Sequence, residues 1–500
     1  MIHDINHELV VSQLEELMNE MTSVEKGFAQ TIQTLDISNH ISAANLVHYL
    51  VMRRAEIRQA QEYLHKIGLS SLTSCESHVL YQIANVVRWL NPDFVNRNPI
   101  ECTFETAGKL RQYNRESLLG ADNSISRPHI MVTLSTDLAY DRMQMEALLL
   151  AGMTIARINC AHDDPTVWAG MIETLKKSMA KTGNACKIYM DLAGPKIRIK
   201  DILAKGGKRS EVKIKEGDEL LITSSVAPRS TNRFKAILKV EPAEILTMIK
   251  PGEHMYFDDG KFEAKVLQPE GKAAIIRIVR ISTKKPNLKV DKGINLPDSD
   301  LKISPLTKED LKNIPFICRY ADMVGYSFVS TPADVEVLQN ELKKNSKNGK
   351  RPSVILKIER LAAVQNLPGL LFAGMKEKFF GVMIARGDLA VEIGFERLSE
   401  IQEEILWICE AAHVPVIWAT QVLETLNKTG FATRSEITDA AKGIMAECVM
   451  LNKGNYLVKT IHTLDNILKR QMGHLDKKRY IMRPLGVAKN FLDETRLYNR

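Results

Sequence analysis

The spacing of apolar residues changes near residue 127 and divides the chain into regions of different structure. In residues 1–126, apolar residues recur every three or four positions, which predicts an all-helical N-terminal domain. Beyond it, eight short apolar runs alternate with amphipathic segments. These runs predict strands at 129–135, 153–160, 186–192, 321–329, 353–359, 380–388, 415–421 and 447–452. Strand–helix alternation is typical of parallel sheets, and eight repeats predict an α/β protein with a (β/α)8 TIM barrel.

One interval between predicted strands has a different period. Residues 199–297 alternate polar and apolar positions, as in "EVKIKEGDELLITSS", with Gly and Pro turns between the runs. This pattern predicts a small all-β domain inserted after the third strand. The predicted domains are therefore the N-terminal helices (1–126), a first barrel part (127–198), the β insert (199–297), a second barrel part (298–472) and a tail (473–500). A doubly wound sheet is the alternative, but neither GxGxxG nor GxxxxGK[ST] follows a predicted strand.

Composition indicates an ordinary globular protein. The 500 residues are 45% hydrophobic and 26% charged, and the longest apolar run is shorter than the roughly 18 residues of a membrane span. The start, "MIHDINHELVV", lacks the basic region of a targeting peptide. Seven scattered cysteines without a CxxC pair favour free thiols and a cytoplasmic location. The net charge of +8 comes from basic residues interleaved with acidic ones, which favours a solvated basic surface or a small anionic substrate over nucleic acid.

Charged and polar residues recur where the predicted strands end, and this face of a barrel carries the active site in barrel enzymes. Five of the eight strands end in this way, with Arg157, Asn159, Asp191, Arg198, Lys357, Glu359, Arg386, Asp388 and Thr420. In "SVILKIER", Lys357 and Glu359 are two residues apart and therefore point to the same face of the strand. Glu359 and Asp388 offer the oxygen ligands that Mg²⁺ prefers. The alternatives are a simple pair of Glu359 with Lys357 or Arg360, and a helix cap at Asp388.

Eight segments, in order, resemble the pyruvate kinases. They are "MTIARINCAH", "MDLAGPKIRI", "MYFDDGKFEAKV", "DKGINLPDSDL", "VILKIERLAAV", "GVMIARGDLAVEIG", "PVIWATQVLETL" and "ATRSEITDAA", within residues 128 to about 470. The resemblance implies a glycolytic enzyme that transfers the phosphoryl group of phosphoenolpyruvate to ADP, with residues 199–297 as a mobile lid. It also implies a divalent cofactor, Mg²⁺ or Mn²⁺.

The resemblance also implies roles for individual residues. Lys357, Thr420 and Arg157 match catalytic residues of the family, and these three also match substrate-binding residues together with Gly387 and Asp388. Glu359 and Asp388 match the metal ligands. The residues that match nucleotide-binding positions are Asn159, His162, Arg198 and Lys292, with Asp258 on the lid.

The chain departs from the family pattern at two kinds of position. Lys196, with Leu192 and Ile199, resembles the branch in which a lysine replaces a bound K⁺, so we expect no K⁺ requirement. The other departures lie near the expected nucleotide: "TLSTDLA" lacks a Gly-Pro turn, Asp163 replaces a glycine, and "MLNKGNYL" lacks a Ser-Gly-Glu-Thr-Ala segment. We expect these changes to alter ADP binding more than phosphoenolpyruvate binding.

The sequence therefore predicts a pyruvate kinase-like phosphotransferase, and two alternatives stay open. One is a divergent barrel decarboxylase or lyase that acts on another pyruvate-like acid. The other is a non-catalytic regulator, which the retention of a buried lysine disfavours. The family's C-terminal regulatory domain finds no match after residue 470, and the N-terminal helices are candidates for homo-oligomer contacts. We expect no nucleic-acid or membrane partner.

Overall fold

The computed structural model describes residues 7–96, 99–121, 127–225, 233–346, 349, 351–477, 479–481, 483–485 and 487–488. Several predictions extend to residues outside these ranges. The prediction that the chain start is not a targeting peptide includes residues 1–6, and the prediction of N-terminal helices includes residues 97, 98 and 122–126. The same holds for 226–232 of the β insert and for most of the predicted tail.

Eight parallel strands close into a barrel, which confirms the predicted fold class. The barrel strands, first to eighth, are His129–Thr133, Ile155–Asn159, Lys187–Asp191, Met323–Tyr326, Ser353–Ile358, Phe380–Ala385, Val416–Ala419 and Cys448–Leu451. The first strand pairs with both the second and the eighth, which completes the ring. Because all strands run the same way, their carboxyl ends lie on one face of the barrel.

The barrel interior is apolar and is closed at the opposite, N-terminal face. Its core side chains come from every strand: Met131, Ile155, Tyr189, Met323, Ile355, Met383, Ile417 and Cys448. Leu118, from the last N-terminal helix, enters this core through the N-terminal face of the barrel. A Cβ atom on Gly381 would lie 2.8 Å from Leu118 Cδ2, so glycine at this position makes room for the inserted leucine.

Helices surround the barrel and connect its strands. They are Arg142–Ala151, Pro165–Thr182, Lys308–Tyr320, Pro332–Asn345, Leu361–Gln365, Leu367–Gly374, Arg386–Ile393, Leu398–Ala411, Glu424–Thr429, Arg434–Lys442 and Leu457–Gln471. Short 3₁₀ turns lie at Thr136–Ala139, Phe395–Arg397 and Gly443–Met445. Local sequence fixes several starts: Thr307 and Asp310 form a reciprocal capping box, and so do Thr331 and Asp334.

The N-terminal region is helical and packs on the outside of the barrel. Its α-helices are His7–Gln33, His40–Arg54, Arg58–Lys66, Val79–Leu90 and Phe104–Leu119, with 3₁₀ turns at Ile37–Asn39 and Glu76–His78. Phe28 stacks on Phe372 with ring centroids 5.7 Å apart, and Asn45 Nδ2 donates to the Ala411 carbonyl at 2.8 Å. These contacts join the helices to the sixth-strand side of the barrel.

The described part of the segment between the third and fourth barrel strands forms an eight-stranded sheet and a separate two-stranded sheet, in which Glu211–Lys213 pairs with Asn287–Lys289, and it has a hydrophobic core of its own. Its strands are Arg198–Ala204, Gly207–Arg209, Glu211–Lys213, Glu219–Thr223, Ala236–Glu241, His254–Phe257, Phe262–Pro269, Ala273–Ile281, Asn287–Lys289 and Ile294–Asn295, with a 3₁₀ turn at Ala243–Thr247. A small hairpin, Leu475–Asp476 with Arg479–Tyr480, follows the last helix. Among the described residues, no helix has both the length and the apolarity to cross a bilayer.

Candidate active site

Lys357 lies at the centre of a buried charged cluster at the carboxyl ends of the strands. Its ammonium Nζ is 2.9 Å from Glu359 Oε1 and 3.3 Å from Asp191 Oδ1, and it donates to Ser327 Oγ at 2.6 Å. The fifth strand places Lys357 and Glu359 on one face, as their two-residue spacing predicts. Only 10% of the lysine side chain is exposed, so the two carboxylates stabilise its charge away from water.

Asp191 joins this lysine to Arg157. Arg157 donates through Nη2 and Nε to Asp191 Oδ2, at 2.5 and 3.0 Å, and through Nη1 to Thr133 Oγ1 at 2.9 Å. Burial acts to raise the pKa of Asp191, but Lys357 and Arg157 outweigh it and the pKa is lowered. Asp191 therefore stays ionised and orients both cations. A Cβ atom on Gly325 would lie 2.3 Å from Asp191 Oδ1, so this approach requires glycine.

Glu359 and Asp388, the predicted metal ligands, lie close enough for the Asp388 charge to affect the pKa of Glu359. Burial raises the pKa of Glu359, and the Asp388 carboxylate raises it further against the opposing effect of Lys357. Glu359 Oε2 also accepts the Phe328 amide N–H at 2.7 Å. A divalent cation bound by both carboxylates would relieve their repulsion. Two carboxylates, together with substrate oxygens and water, are ligands that suit Mg²⁺. Among the described residues, no group of three His, Cys, Asp or Glu side chains is arranged to hold a metal.

Lys196 contacts the second of these carboxylates directly. Its Nζ lies 2.9 Å from both Oδ1 and Oδ2 of Asp388. Burial acts to raise the pKa of Asp388, but Lys196 outweighs it and the pKa is lowered. Asn295 Nδ2, from the last strand of the β insert, donates to Asp388 Oδ1 at 3.4 Å and to Glu392 Oε1 at 3.3 Å. The β insert therefore reaches the metal-ligand candidates.

Gly387 and Thr420 lie side by side above the sixth and seventh strands. A Cβ atom on Gly387 would lie 2.8 Å from Thr420 Cγ2, so only glycine allows this approach. Gly387 is in the first turn of the helix Arg386–Ile393, where backbone N–H groups lack helical partners. Such groups can bind an anion.

Two of the predicted nucleotide residues share a cavity with Arg157. The cavity has a volume of about 250 Å³ and is lined by Asn159, His162, Asp163 and Lys453 together with the arginine. Burial lowers the pKa of His162, and the nearby Lys453 and Arg198 lower it further. Three cationic side chains, those of Arg157, Lys428 and Lys453, line this cavity together with the carboxylates of Asp163 and Glu424. Asp163 Oδ1 accepts from Thr136 Oγ1 at 2.9 Å.

The other predicted nucleotide residues lie on the β insert. Arg198 begins its first strand and donates through Nη1 to the Asp291 carbonyl at 3.1 Å. Lys292 Nζ is 2.7 Å from Asp258 Oδ1, so these two predicted residues contact each other. Neither Lys292 nor Asp258 lines the cavity around His162. Movement of the insert relative to the barrel would decide whether both groups of residues reach one ligand.

Several side chains of the cluster were not predicted as site residues. Ser327, Thr133 and Asn295 each bond a charged group of the site. Thr133 ends an apolar strand and Ser327 follows one, but neutral hydroxyls are too common at strand ends to indicate a site by themselves. Asn295 lies in the β insert, and nothing in its local pattern indicates contact with a residue beyond position 380.

The fold and the cluster together define the class: a (β/α)8-barrel enzyme with a charged site at the carboxyl ends of its strands. The family model for the pyruvate kinase barrel domain matches residues 125–461. The pyruvate kinase of Clostridium perfringens is 31% identical over 341 residues, which cover 67% of this chain and 68% of the relative. The pyruvate kinase of Mycobacterium tuberculosis is 30% identical over 349 residues, 68% and 69% of the two chains.

The pyruvate kinase of Staphylococcus saprophyticus is 28% identical over 344 residues, and the match spans only 56% of that relative. Since the family model covers more than half of the chain, the chain belongs to the pyruvate kinase family. The resemblance found in the sequence and the prediction of an enzyme of this family are thereby confirmed.

Proposed function

We propose that the protein transfers the phosphoryl group of phosphoenolpyruvate to ADP, with a divalent cation and without K⁺. The observation that supports this most directly is the meeting of Lys357 with Asp191 and Glu359 at the strand ends, beside Asp388. Three cations face three acids in this cluster: Arg157, Lys196 and Lys357 against Asp191, Glu359 and Asp388. A balanced cluster can accept a divalent cation together with an anionic substrate without a large excess of charge.

Glu359 and Asp388 are the residues that would hold Mg²⁺ or Mn²⁺. When bound, the ion would neutralise charge on the phosphoryl and enolate oxygens. Lys357 adds a preorganised cation at the same point, where charge on the transferring group develops. The longest contact of Lys357 Nζ is that with Asp191 Oδ1, at 3.3 Å. A phosphoryl oxygen would replace this contact with the smallest loss of interaction energy.

Arg157 and the first turn at Gly387 would hold the two ends of the substrate. The guanidinium of Arg157 lines the cavity around His162 and suits a phosphate, while the free backbone N–H groups at Gly387 suit a carboxylate. Thr420, in contact with Gly387, would then lie near the enolate carbon and take part in its protonation. Asn159 and His162 would bind the nucleotide phosphates in the same cavity, joined by Arg198 and Lys292 from the insert.

Lys196 would supply the positive charge that K⁺ supplies in other members of the family. Its ammonium lies on Asp388, so it adds a fixed cation to the site. We therefore expect full activity without K⁺.

A lactate dehydrogenase-coupled assay tests this function. Pyruvate should form from phosphoenolpyruvate only when ADP and Mg²⁺ are present, and K⁺ should change the rate less than twofold. Lys357→Met should lower kcat by at least about a thousandfold. The matched control is Lys376→Met, which removes a surface lysine paired with Glu336 at 2.6 Å and should not alter the rate.

A decarboxylase or lyase is the second candidate, and Asp163 favours it because its carboxylate would repel nucleotide phosphates in the cavity. Mg²⁺-dependent decarboxylation of oxaloacetate without any ADP-dependent pyruvate formation would support this candidate and contradict the kinase.

A further inference from the structure

The turn after the seventh barrel strand has an unusual backbone. Thr420, Gln421 and Leu423 have φ values of 73°, 57° and 49°, all in the left-handed region. Residues other than glycine avoid this region because Cβ crowds the backbone carbonyl. Such a conformation persists only where surrounding contacts hold it. Whatever holds this turn therefore also sets the position of the Thr420 hydroxyl.

Arg386 makes the contacts that hold the turn. Its Nε donates to the Ala419 carbonyl at 2.9 Å and its Nη2 donates to the Thr420 carbonyl at 2.7 Å. The guanidinium carbon lies 4.5 Å from the centroid of the Trp418 ring, and the residue is only 7% exposed. A planar guanidinium presents its donors in a rigid fork. Arg386 therefore fixes two successive carbonyls at the strand end.

Asp439 anchors the arginine from the other side. Its Oδ1 and Oδ2 accept from Nη1 and Nη2 of Arg386, at 2.5 and 2.9 Å. This bidentate pair ties the turn to the helix Arg434–Lys442. Arg386 does not line the cavity around His162, whereas Arg157 does. The geometry is that of a residue that acts through its neighbours.

On the basis of the proposed function, we propose that Arg386, anchored by Asp439, is a positioning residue for protonation of the enolate. Phosphoryl transfer leaves the enolate of pyruvate. Its C=C electron pair forms a new C–H bond with a proton from the Thr420 hydroxyl, the carbonyl forms, and the threonine oxygen regains a proton from water. Arg386 holds the hydroxyl where this step can occur, while Lys357 and the metal ligands serve phosphoryl transfer.

The two steps can be measured separately. Exchange of the pyruvate methyl protons in D₂O, followed by NMR with Mg²⁺ and ATP present, reports enolate formation and protonation alone. Arg386→Lys keeps the charge but loses the fork, so we expect exchange to fall about tenfold to a hundredfold. The KM for phosphoenolpyruvate should change less than twofold. Thr420→Ala should lower the exchange rate by a similar factor. The double variant should lower it no further, because both changes disrupt the same positioned hydroxyl of Thr420.

Arg127→Lys is the matched control for lost stability. Arg127 is 3% exposed, lies 2.5 Å from Asp465 Oδ1 through Nε and donates to the Pro128 carbonyl at 2.9 Å. It therefore has the same kind of buried environment, at the opposite face of the barrel. Arg127→Lys should lower Tm as Arg386→Lys does, with unchanged exchange. Asp439→Asn is a second, milder variant that keeps the guanidinium, and it should lower exchange about threefold to tenfold.

The inference is overturned if both Arg386→Lys and Asp439→Asn exchange pyruvate protons at the wild-type rate. It is also overturned if the losses from Arg386→Lys and Thr420→Ala multiply fully in the double variant. A wild-type protein that neither forms pyruvate from phosphoenolpyruvate nor exchanges pyruvate protons would instead overturn the proposed function itself.

Discussion

Removal of the Lys196 ammonium should tighten divalent-cation binding, because this ammonium and the metal compete for the same Asp388 oxygens. At 2.9 Å, the ion pair gives about 6 kcal/mol of attraction at an effective dielectric constant of ~20. Desolvation of both ions offsets much of this, and charged hydrogen bonds contribute about 1.5–3 kcal/mol net. Lys196→Met should therefore bind Mn²⁺ about 10- to 100-fold more tightly than the wild type in the absence of substrate.

Titration with Mn²⁺, with free ion measured by electron paramagnetic resonance, gives the dissociation constant. Lys196→Arg keeps a competing cation and should bind Mn²⁺ nearly as the wild type does. Lys200→Met is the matched control, since Lys200 is 40% exposed and lies 3.9 Å from Asp291 Oδ1. Equal or weaker Mn²⁺ binding by Lys196→Met, with Lys200→Met unchanged, would refute competition at Asp388.

Three further predictions concern stability and nucleotide binding. Burial raises the pKa of Glu392 to about 7 in the folded protein, so ionisation of this group opposes folding. The stability that the protonated carboxyl contributes is fully present below pH 4.5 and is lost as the pH rises through 7. Glu392→Gln should therefore be about 1–2 kcal/mol more stable than the wild type at pH 8 and no more stable at pH 4, by urea unfolding. Asp163→Asn should lower the KM for ADP about threefold to tenfold, because a charge that repels phosphate is removed; an unchanged KM would place the nucleotide elsewhere. Gly325→Ala would put Cβ 2.0 Å from the Tyr189 hydroxyl, so we expect a loss of at least about 2 kcal/mol in unfolding free energy and loss of activity, and a stable, active variant would contradict the described packing.

The sequence predicted the barrel because its strands are separate apolar runs joined by helical segments. All eight barrel strands lie within the predicted segments. The pair of Lys357 with Glu359 was predictable for the same local reason, since a strand fixes which side chains share a face.

Contacts between distant segments were not predictable in this way. Lys196 and Asp388 are 192 residues apart, and nothing in the local pattern indicates that the loop after the third strand reaches the helix after the sixth. Asp191 is similar, because its bonds to Arg157 and Lys357 depend on the approach that Gly325 allows. The contacts of Arg386 with the turn could not be predicted from its charge, because they are made with the backbone carbonyls of Ala419 and Thr420.

Mn²⁺ binding by single carboxamide variants tests most directly whether the two carboxylates share one divalent cation. The wild type should bind one Mn²⁺ per chain, and Glu359→Gln and Asp388→Asn should each weaken that binding at least about tenfold. Glu377→Gln is the control, since Glu377 is a similarly buried carboxylate paired with Arg351 and Lys343. It should bind as the wild type does. Wild-type Mn²⁺ affinity in both site variants would contradict a metal site formed by Glu359 and Asp388.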